Sequence, residues 1–305
     1  MAKQTKVMVT GAGGFIGAEI CDLLLKKGLR VYGTYHTDAK RLNRFKKNKN
    51  FKASSLDITH ADLLNRLIKK IKPQAVFHTA AALPGKEIDA QLLFGSNVLG
   101  TLNLLEACRL NNVKKFIHSS SMSIYGTNPK YLPVDEKHPA NPYDFYSLSK
   151  KAAEDLCGFY AQNYNLNIVI LRYSGVFGPS RTSGAVGQFI LNSLKDKPLN
   201  INNNISWDIV DVTDIAKANF LAYQKAEKLK YSVINIGRGL DINILDLAKK
   251  ILTLSKSKSQ IKIGPSFNKK PYRFYFDIKK AAKMLNFKPG SLDSSLKKYI
   301  DTLKT

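Results

Sequence analysis

Residues 6–26 read KVMVTGAGGFIGAEICDLLLK, and the fold is decided in this stretch. Lys6 to Thr10 is a short β-branched, apolar run of the kind that forms a buried strand. A glycine cluster follows, and then Phe15, Ile16, Ile20, Leu23 and Leu24 recur at helical spacing. Gly11 permits the tight turn, Gly14 lets the backbone approach a pyrophosphate, and Gly17 lets the helix pack on the strand. The unbonded N–H groups at the start of that helix then face the phosphates.

Working outward, the same alternation repeats. Gly28 ends the helix as a C′ glycine, and LRVYGTY (29–35) returns as a strand. KASSLD (52–57) is the next, after which Thr59 with Asp62 predicts a capping box and a helix through Ile71. The strand AVFHTA, a helix over 97–111, the strand KKFIHSS, a helix over 143–164 and the strand NIVILRY continue the series. Repeated βα units predict an α/β fold, a Rossmann-type doubly wound parallel sheet. Ligands in such sheets collect beyond the carboxyl ends of the strands, where strand order reverses. Residues 1–172 would form this dinucleotide-binding domain, parts of 206–240 returning to it, with 173–305 mainly a smaller substrate-binding α/β region.

Composition narrows the functional classes. The 305 residues are 44% hydrophobic, enough for a core without disulfides or metal. Cys21, Cys108 and Cys157 are odd in number and lack CxxC spacing, so they read as buried thiols of a cytoplasmic protein. No apolar run approaches the roughly 20 residues of a membrane helix. The net charge of +25 raises the question of nucleic acid. Only nine of the 48 basic residues are Arg, however, and the lysines are scattered along the chain, which argues against it and for a basic surface that attracts small anions. His78, His118, Asp208, Asp211 and Asp214 have no metal-ligand spacing, so no metal is expected.

Tyr146-Ser-Leu-Ser-Lys150 sets a phenol and an ammonium four residues apart, on one helix face. A neighbouring Lys⁺ favours the phenolate of a tyrosine whose ordinary pKa is about 10. Chance alone yields about two such pairs in a chain with 14 Tyr and this many Lys, and Tyr275-Phe-Asp-Ile-Lys279 is the other. Only Tyr146 follows a strand ending in hydroxyls, Ser119-Ser120-Ser121.

With these elements in this order, the sequence resembles the extended short-chain dehydrogenase/reductase family, also called the NAD-dependent epimerase/dehydratase family. The matching stretches are TGAGGFIG (10–17), LDI (56–58), FHTAA (77–81), NVLGTLNLLEAC (97–108), SSSMSIYG (119–126), YSLSK (146–150), LRYSGVFGP (171–179), VDVTDIAKA (210–218) and VINIG (233–237). The resemblance implies Tyr146 as acid/base at a sugar hydroxyl or ketone, Ser121 as hydrogen-bond partner of the same oxygen, and Lys150 on the cofactor ribose. It implies Gly11, Gly14, Phe15, Ile16 and Gly17 at the pyrophosphate, and Asp57 and Ile58 around the adenine. Ala80, Ala81, Asn97 and Ser119 would border the cofactor, with Tyr173 and Ser174 near the nicotinamide. A homodimer through the 97–111 and 144–163 helices is also implied, and the latter carries two apolar sets, Phe145, Leu148, Ala152, Leu156, Phe159 and Ala153, Cys157, Ala161.

Departures from the family pattern shape the functional expectation. The acidic residue that commonly ends the second strand is Tyr35, followed by His36, with Lys40, Arg41 and Arg44 close behind. This favours NADP over NAD, because cations suit a 2′-phosphate. Met122-Ser123 replaces the acidic pair of the dehydratases. Gly175 and Trp207 replace an Asn and an Arg that commonly hold a nucleotide sugar's phosphates; Arg181, Lys269, Lys270 and Arg273 could serve instead. Ser121, Met122, Ser123, Gly175, Arg181, Trp207 and Arg273 are thus the expected substrate contacts. The expectation is a nucleotide-sugar 4-ketoreductase, with an NAD-dependent 4-epimerase as alternative and a non-catalytic dinucleotide-sensing or RNA-binding protein beyond that.

Overall fold

The first βα unit forms around its glycines. β1 (Lys6–Thr10) runs into the turn, and α1 (Phe15–Lys26) leaves it. Gly11 has φ +69°, and a Cβ there would lie 2.6 Å from the Ala80 backbone nitrogen. The computed structural model describes residues 4–84, 89–269 and 271–304. α1 closes on Gly28 at φ +77°, whose N–H donates to the Leu25 carbonyl.

β2 (Arg30–Tyr35), β3 (Phe51–Ser55), β4 (Ala75–His78), β5 (Lys115–Ser121), β6 (Asn167–Tyr173) and β10 (Tyr231–Ile236) join β1 in a seven-stranded sheet, ordered β10-β6-β5-β4-β1-β2-β3. Every neighbouring pair is parallel. α1, α7 (Val212–Leu229) and α9 (Lys279–Leu285) cover one face through Ile20, Leu24, Ala218, Ala222 and Leu285. α2 (Ala61–Ile71), α4 (Gly100–Leu110) and α5 (Phe145–Asn163) cover the other through Leu64, Ile68, Leu104, Cys108 and Cys157. The fold is the expected Rossmann-like sheet. Strand order reverses between β1 and β4, so the glycine turn and the loop after β4 meet at one end of the sheet.

Two local expectations fail. Thr59 does not cap α2: Asp57 accepts the Thr59 N–H at 2.9 Å, and His60 at the N-cap makes no side-chain bond. The helix expected from residue 97 begins earlier, at α3 (Ala90–Phe94), because Asp89 caps it by accepting the Leu92 N–H at 2.9 Å. α3 continues through a π turn over Gly95–Leu99 into α4.

Beyond β6, β7 (Gly175–Phe177), β9 (Ile205–Asp211), β11 (Asp241–Asn243) and β13 (Tyr272–Phe274) make a second, four-stranded sheet. α6 (Gly184–Ser193), α8 (Ile244–Ser255) and α10 (Leu292–Lys304) pack on it around Phe189, Ile190, Leu247, Ile251, Leu296 and Tyr299. The three cysteines are buried and unbridged. Among the described residues no helix is long and apolar enough to cross a membrane, and no three His, Cys, Asp or Glu side chains cluster as metal ligands would.

Candidate active site

A cleft of about 650 Å³ opens at the switch point. Its lining includes Gly11, Gly14, Phe15, Ile16, Gly17, Arg41, Ala81, Ser119, Ser121, Met122, Tyr146, Lys150, Tyr173, Ser174, Gly175 and Arg181. The sequence named all of these, but not Thr79, Leu83, Val176 or Ser183, which share the wall. Thr79 and Val176 carried a signal, inside FHTAA and LRYSGVFGP; the Thr79 hydroxyl donates to the Thr10 carbonyl at 2.7 Å and ties β4's end to the glycine turn.

A dinucleotide fits this floor. A Cβ on Gly14 would meet nothing closer than the Gly11 carbonyl at 3.1 Å, so the space above it is open to a pyrophosphate. The start of α1 has no side-chain cap and no acidic residue in its first turn, which leaves its N–H groups and positive dipole end for an anion. A Cβ on Gly17, by contrast, would lie 2.2 Å from the Gly11 carbonyl oxygen. Gly17→Ala therefore displaces helix from turn. We expect it to weaken dinucleotide binding by at least tenfold in calorimetry; unchanged affinity would mean that the helix start is not the phosphate site.

The catalytic candidates converge on one wall. β5 ends at Ser121, and α5 begins one residue before Tyr146, its N-terminus fixed by a capping box in which Asp144 accepts the Ser147 N–H at 2.7 Å. Tyr146 and Ser121 line the same wall, the Ser121 hydroxyl near enough to lower the phenol. One turn on, the buried Lys150 Nζ donates to the Ser119 carbonyl at 2.6 Å. Burial holds Lys150 down to about 8, against the opposing pull of Glu154. Burial also raises the Tyr146 phenol, while the Ser121 hydroxyl and the Arg181 charge lower it less. In the protein alone, burial is the largest influence on this tyrosine, and the Lys150 ammonium one turn away is bonded to the Ser119 carbonyl.

Other named residues support the cleft from behind. Asn97, buried in the π turn, accepts the Ala82 N–H at 2.8 Å and donates to the Ser149 hydroxyl at 2.9 Å, so it holds the loop after β4 against α5. Ala80 packs its backbone under Gly11. Ser119 and Tyr173 hydroxyls lie 2.9 Å apart, and Asn219 donates to the latter at 2.8 Å. Ser174 donates at 3.3 Å to buried Asp208, which also accepts the Arg238 and Gly239 N–H groups. His78 bridges the Thr10 and Thr101 hydroxyls and is held neutral by burial, with a pKa near 3.

Several expected contacts stand apart from the cleft lining. Asp57 and His36 pair with each other at 3.7 Å, and Ile58 is buried against Gly100. Ser123 donates its N–H to Ser121 Oγ at 3.2 Å. Trp207 stands behind Gly175. Arg273 is held by Asp241 at 2.7 Å on the second sheet, Lys269 is exposed, and Lys270 lies outside the described residues.

The chain matches the model of the NAD dependent epimerase/dehydratase family over residues 7–237. It is 32% identical to a UDP-glucuronate 4-epimerase of Thermodesulfobacterium geofontis, across 97% of this chain and 95% of that protein. Among solved structures it is similar to the Thermotoga maritima UDP-glucose 4-epimerase with UDP-glucose, at 27% identity and TM-score 0.89, covering 98% and 99% of the two chains. The Bacillus cereus UDP-glucuronic acid 4-epimerase in complex with UDP-glucuronic acid and NAD is 32% identical with TM-score 0.87, over the same shares. The chain belongs to the NAD-dependent epimerase/dehydratase family.

Proposed function

We propose that this protein is an NAD-dependent 4-epimerase of a UDP-linked hexose. The observation that carries the reading is the meeting of Ser121, Tyr146 and Lys150 on the wall of a cleft floored by the glycine turn. Bound NAD, held by the glycine turn and Lys150, would supply a hydride acceptor and donor at C4, and C4 inverts because the hydride returns to the opposite face of the 4-keto sugar. Tyr146 Oη removes the proton from the C4 hydroxyl as the C4–H bond breaks and returns it when the bond re-forms, while Ser121 Oγ holds the oxygen. Lys150 binds the ribose. The arrangement serves catalysis, and a pure sensor has no use for a phenol so placed.

The epimerase displaces the reductase as the first reading on two grounds. The similar proteins above are 4-epimerases. Moreover, of the cations that suggested NADP all but the exposed Lys40 are already engaged. Arg44 donates to Glu19 at 2.9 Å and to the Ala18 carbonyl at 2.7 Å, Arg41 donates to the Ser180 carbonyl at 2.9 Å, and His36 faces Asp57. A 2′-phosphate would have to break these contacts or sit beside Asp57. We therefore expect calorimetry to show NAD binding at least tenfold tighter than NADP; the reverse order would restore the reductase. The reading itself is tested by incubating the protein with NAD and either UDP-glucose or UDP-glucuronic acid. The expected result is a mixture of C4 epimers without net change in reduced nicotinamide, and no turnover of any UDP-hexose would refute it.

We also propose a cytoplasmic homodimer whose dinucleotide-binding domain comprises residues 1–172 with parts of 206–240 returning to it. Leu99, Phe145, Leu148 and Phe159 on α4's approach and α5 are each 46–55% exposed, a face suited to a second copy of the chain. Light scattering should give twice the chain mass at micromolar concentration, and a monomer would refute the pairing.

A further inference from the structure

Residues 178–183 link β7 to α6, and 180–184 are exposed one after another, so burial does little to hold this segment. What fixes it is a short set of contacts reaching in from two sides. From the dinucleotide-binding side comes Arg41, in the 3₁₀ turn Lys40–Phe45 that follows β2. Its guanidinium donates to the Ser180 carbonyl at 2.9 Å and lies 3.5 Å from the Gly13 carbonyl, so one side chain spans from the glycine turn to the segment. The Arg181 guanidinium lies over the Phe15 ring at 5.9 Å, and a Cβ on Gly178 would be 3.4 Å from the tip of that ring. From the substrate-binding side, buried Tyr299 of α10 donates its hydroxyl to the Arg181 carbonyl at 2.7 Å. Gln188 of α6 donates to the Thr182 carbonyl at 3.0 Å. Gly13 and Phe15 stand on either side of Gly14, above which the pyrophosphate has its open space. The segment is thus fastened to the glycine turn at two points that straddle the diphosphate position, and Phe15, Arg41, Arg181 and Ser183 all line the cleft.

We infer that residues 178–183 form a strap over the bound dinucleotide, with Arg41 and Tyr299 as its positioning residues, and that the cofactor enters and leaves only when the Arg41–Ser180 clasp opens. The clasps join protein to protein, so they oppose entry and exit alike. A segment held by a few hydrogen bonds over little buried surface opens at far lower cost than the fold as a whole. For the reaction the consequence is retention. A cofactor restored at the end of every cycle gains from a slow strap, whereas one exchanged at each turnover would be limited by it. The strap requires the dinucleotide site alone and holds whichever sugar is turned over.

The test is kinetic. Bound NADH is chased with excess NAD in stopped flow, and the loss of its fluorescence gives the dissociation rate; mixing NADH with free protein gives the association rate. Arg41→Ala, which removes a charged hydrogen bond from the clasp, should raise both rates about tenfold or more and leave Kd within about threefold, because a barrier falls while the end states keep their contacts. Tyr299→Phe is the sharper variant, since its hydroxyl bonds the strap's carbonyl and Tyr299 does not line the cleft. A rise of about threefold in both rates, at nearly the wild-type Tm, reaches the cofactor only through the strap. This variant decides the matter if Arg41→Ala does not fold. Faster dissociation at unchanged association for Arg41→Ala, with Tyr299→Phe behaving as the wild type, would overturn the inference and make Arg41 an ordinary cofactor contact. Wild-type rates in both variants would overturn it as well, and either result leaves the epimerase reading standing. Absence of any NADH binding would instead remove the dinucleotide site, and that reading with it.

Discussion

Replacing Tyr146 with Phe is expected to lower kcat by about 10²- to 10⁴-fold, the usual worth of a positioned general acid/base, while NAD affinity stays within about threefold. The ring is half-buried on the cleft wall and its packing survives the change, so the loss is confined to one oxygen. That oxygen is where the proton of the sugar hydroxyl must go. Because burial raises this phenol, the wild-type rate should climb as pH rises from neutrality, since the phenolate is the form that accepts the proton. The Phe variant should lose that limb of the profile. Steady-state kinetics across pH checks both statements, and a variant with most of its activity would remove Tyr146 from the chemistry.

The second large effect concerns stability. Arg172 and Glu154 form a pair only 9% and 4% exposed, at 2.6 Å, directly behind the catalytic wall. The same guanidinium donates to the Tyr125 hydroxyl at 2.7 Å, which in turn donates to Asn235 Oδ1 at 2.8 Å. Removing one member of such a pair strands the other charge away from water, at about 3–5 kcal/mol. Glu154→Leu should therefore lower Tm by on the order of 10 °C. Replacing both charges, as in Glu154→Leu with Arg172→Met, should recover most of the loss, because no charge is then left unpaired. Glu154 also supports the charge on Lys150, so its loss should move the fall in cofactor affinity with rising pH below about 8. Circular dichroism melting tests the first statement. A single variant as stable as the wild type would mean that water reaches the pair.

Why the strands, the glycine turn and the Tyr146 helix were legible in the sequence is a matter of range. Each is encoded by contiguous residues: β-branched runs for strands, helical spacing after Gly14, and the four-position spacing of Tyr146 and Lys150. What was not legible depends on approach in space. Arg41 looked like a phosphate ligand for NADP until Ser180, 139 positions away, took its guanidinium. Asn97, expected to border the cofactor, sits in a π turn that the sequence did not announce and is bonded to Ala82 and Ser149. Gly175 and Trp207 looked like two separate departures from the family pattern, and the space one leaves is filled by the other. The four-residue spacing puts Lys150 one turn from Tyr146, but its bond to the Ser119 carbonyl depends on where β5 ends. Asp62 failed as a capping partner because Asp57 had already claimed the Thr59 N–H.

The most direct test of the account follows a hydrogen atom. UDP-glucose carrying deuterium at C4 is incubated with the protein and NAD, and the sugars are read by NMR. The account predicts that the C4 epimer appears with deuterium still at C4, with none in solvent and no reduced nicotinamide accumulating. Deuterium passing instead to free dinucleotide, with stoichiometric change in its redox state, would contradict the epimerase and return the cleft to a one-way reductase.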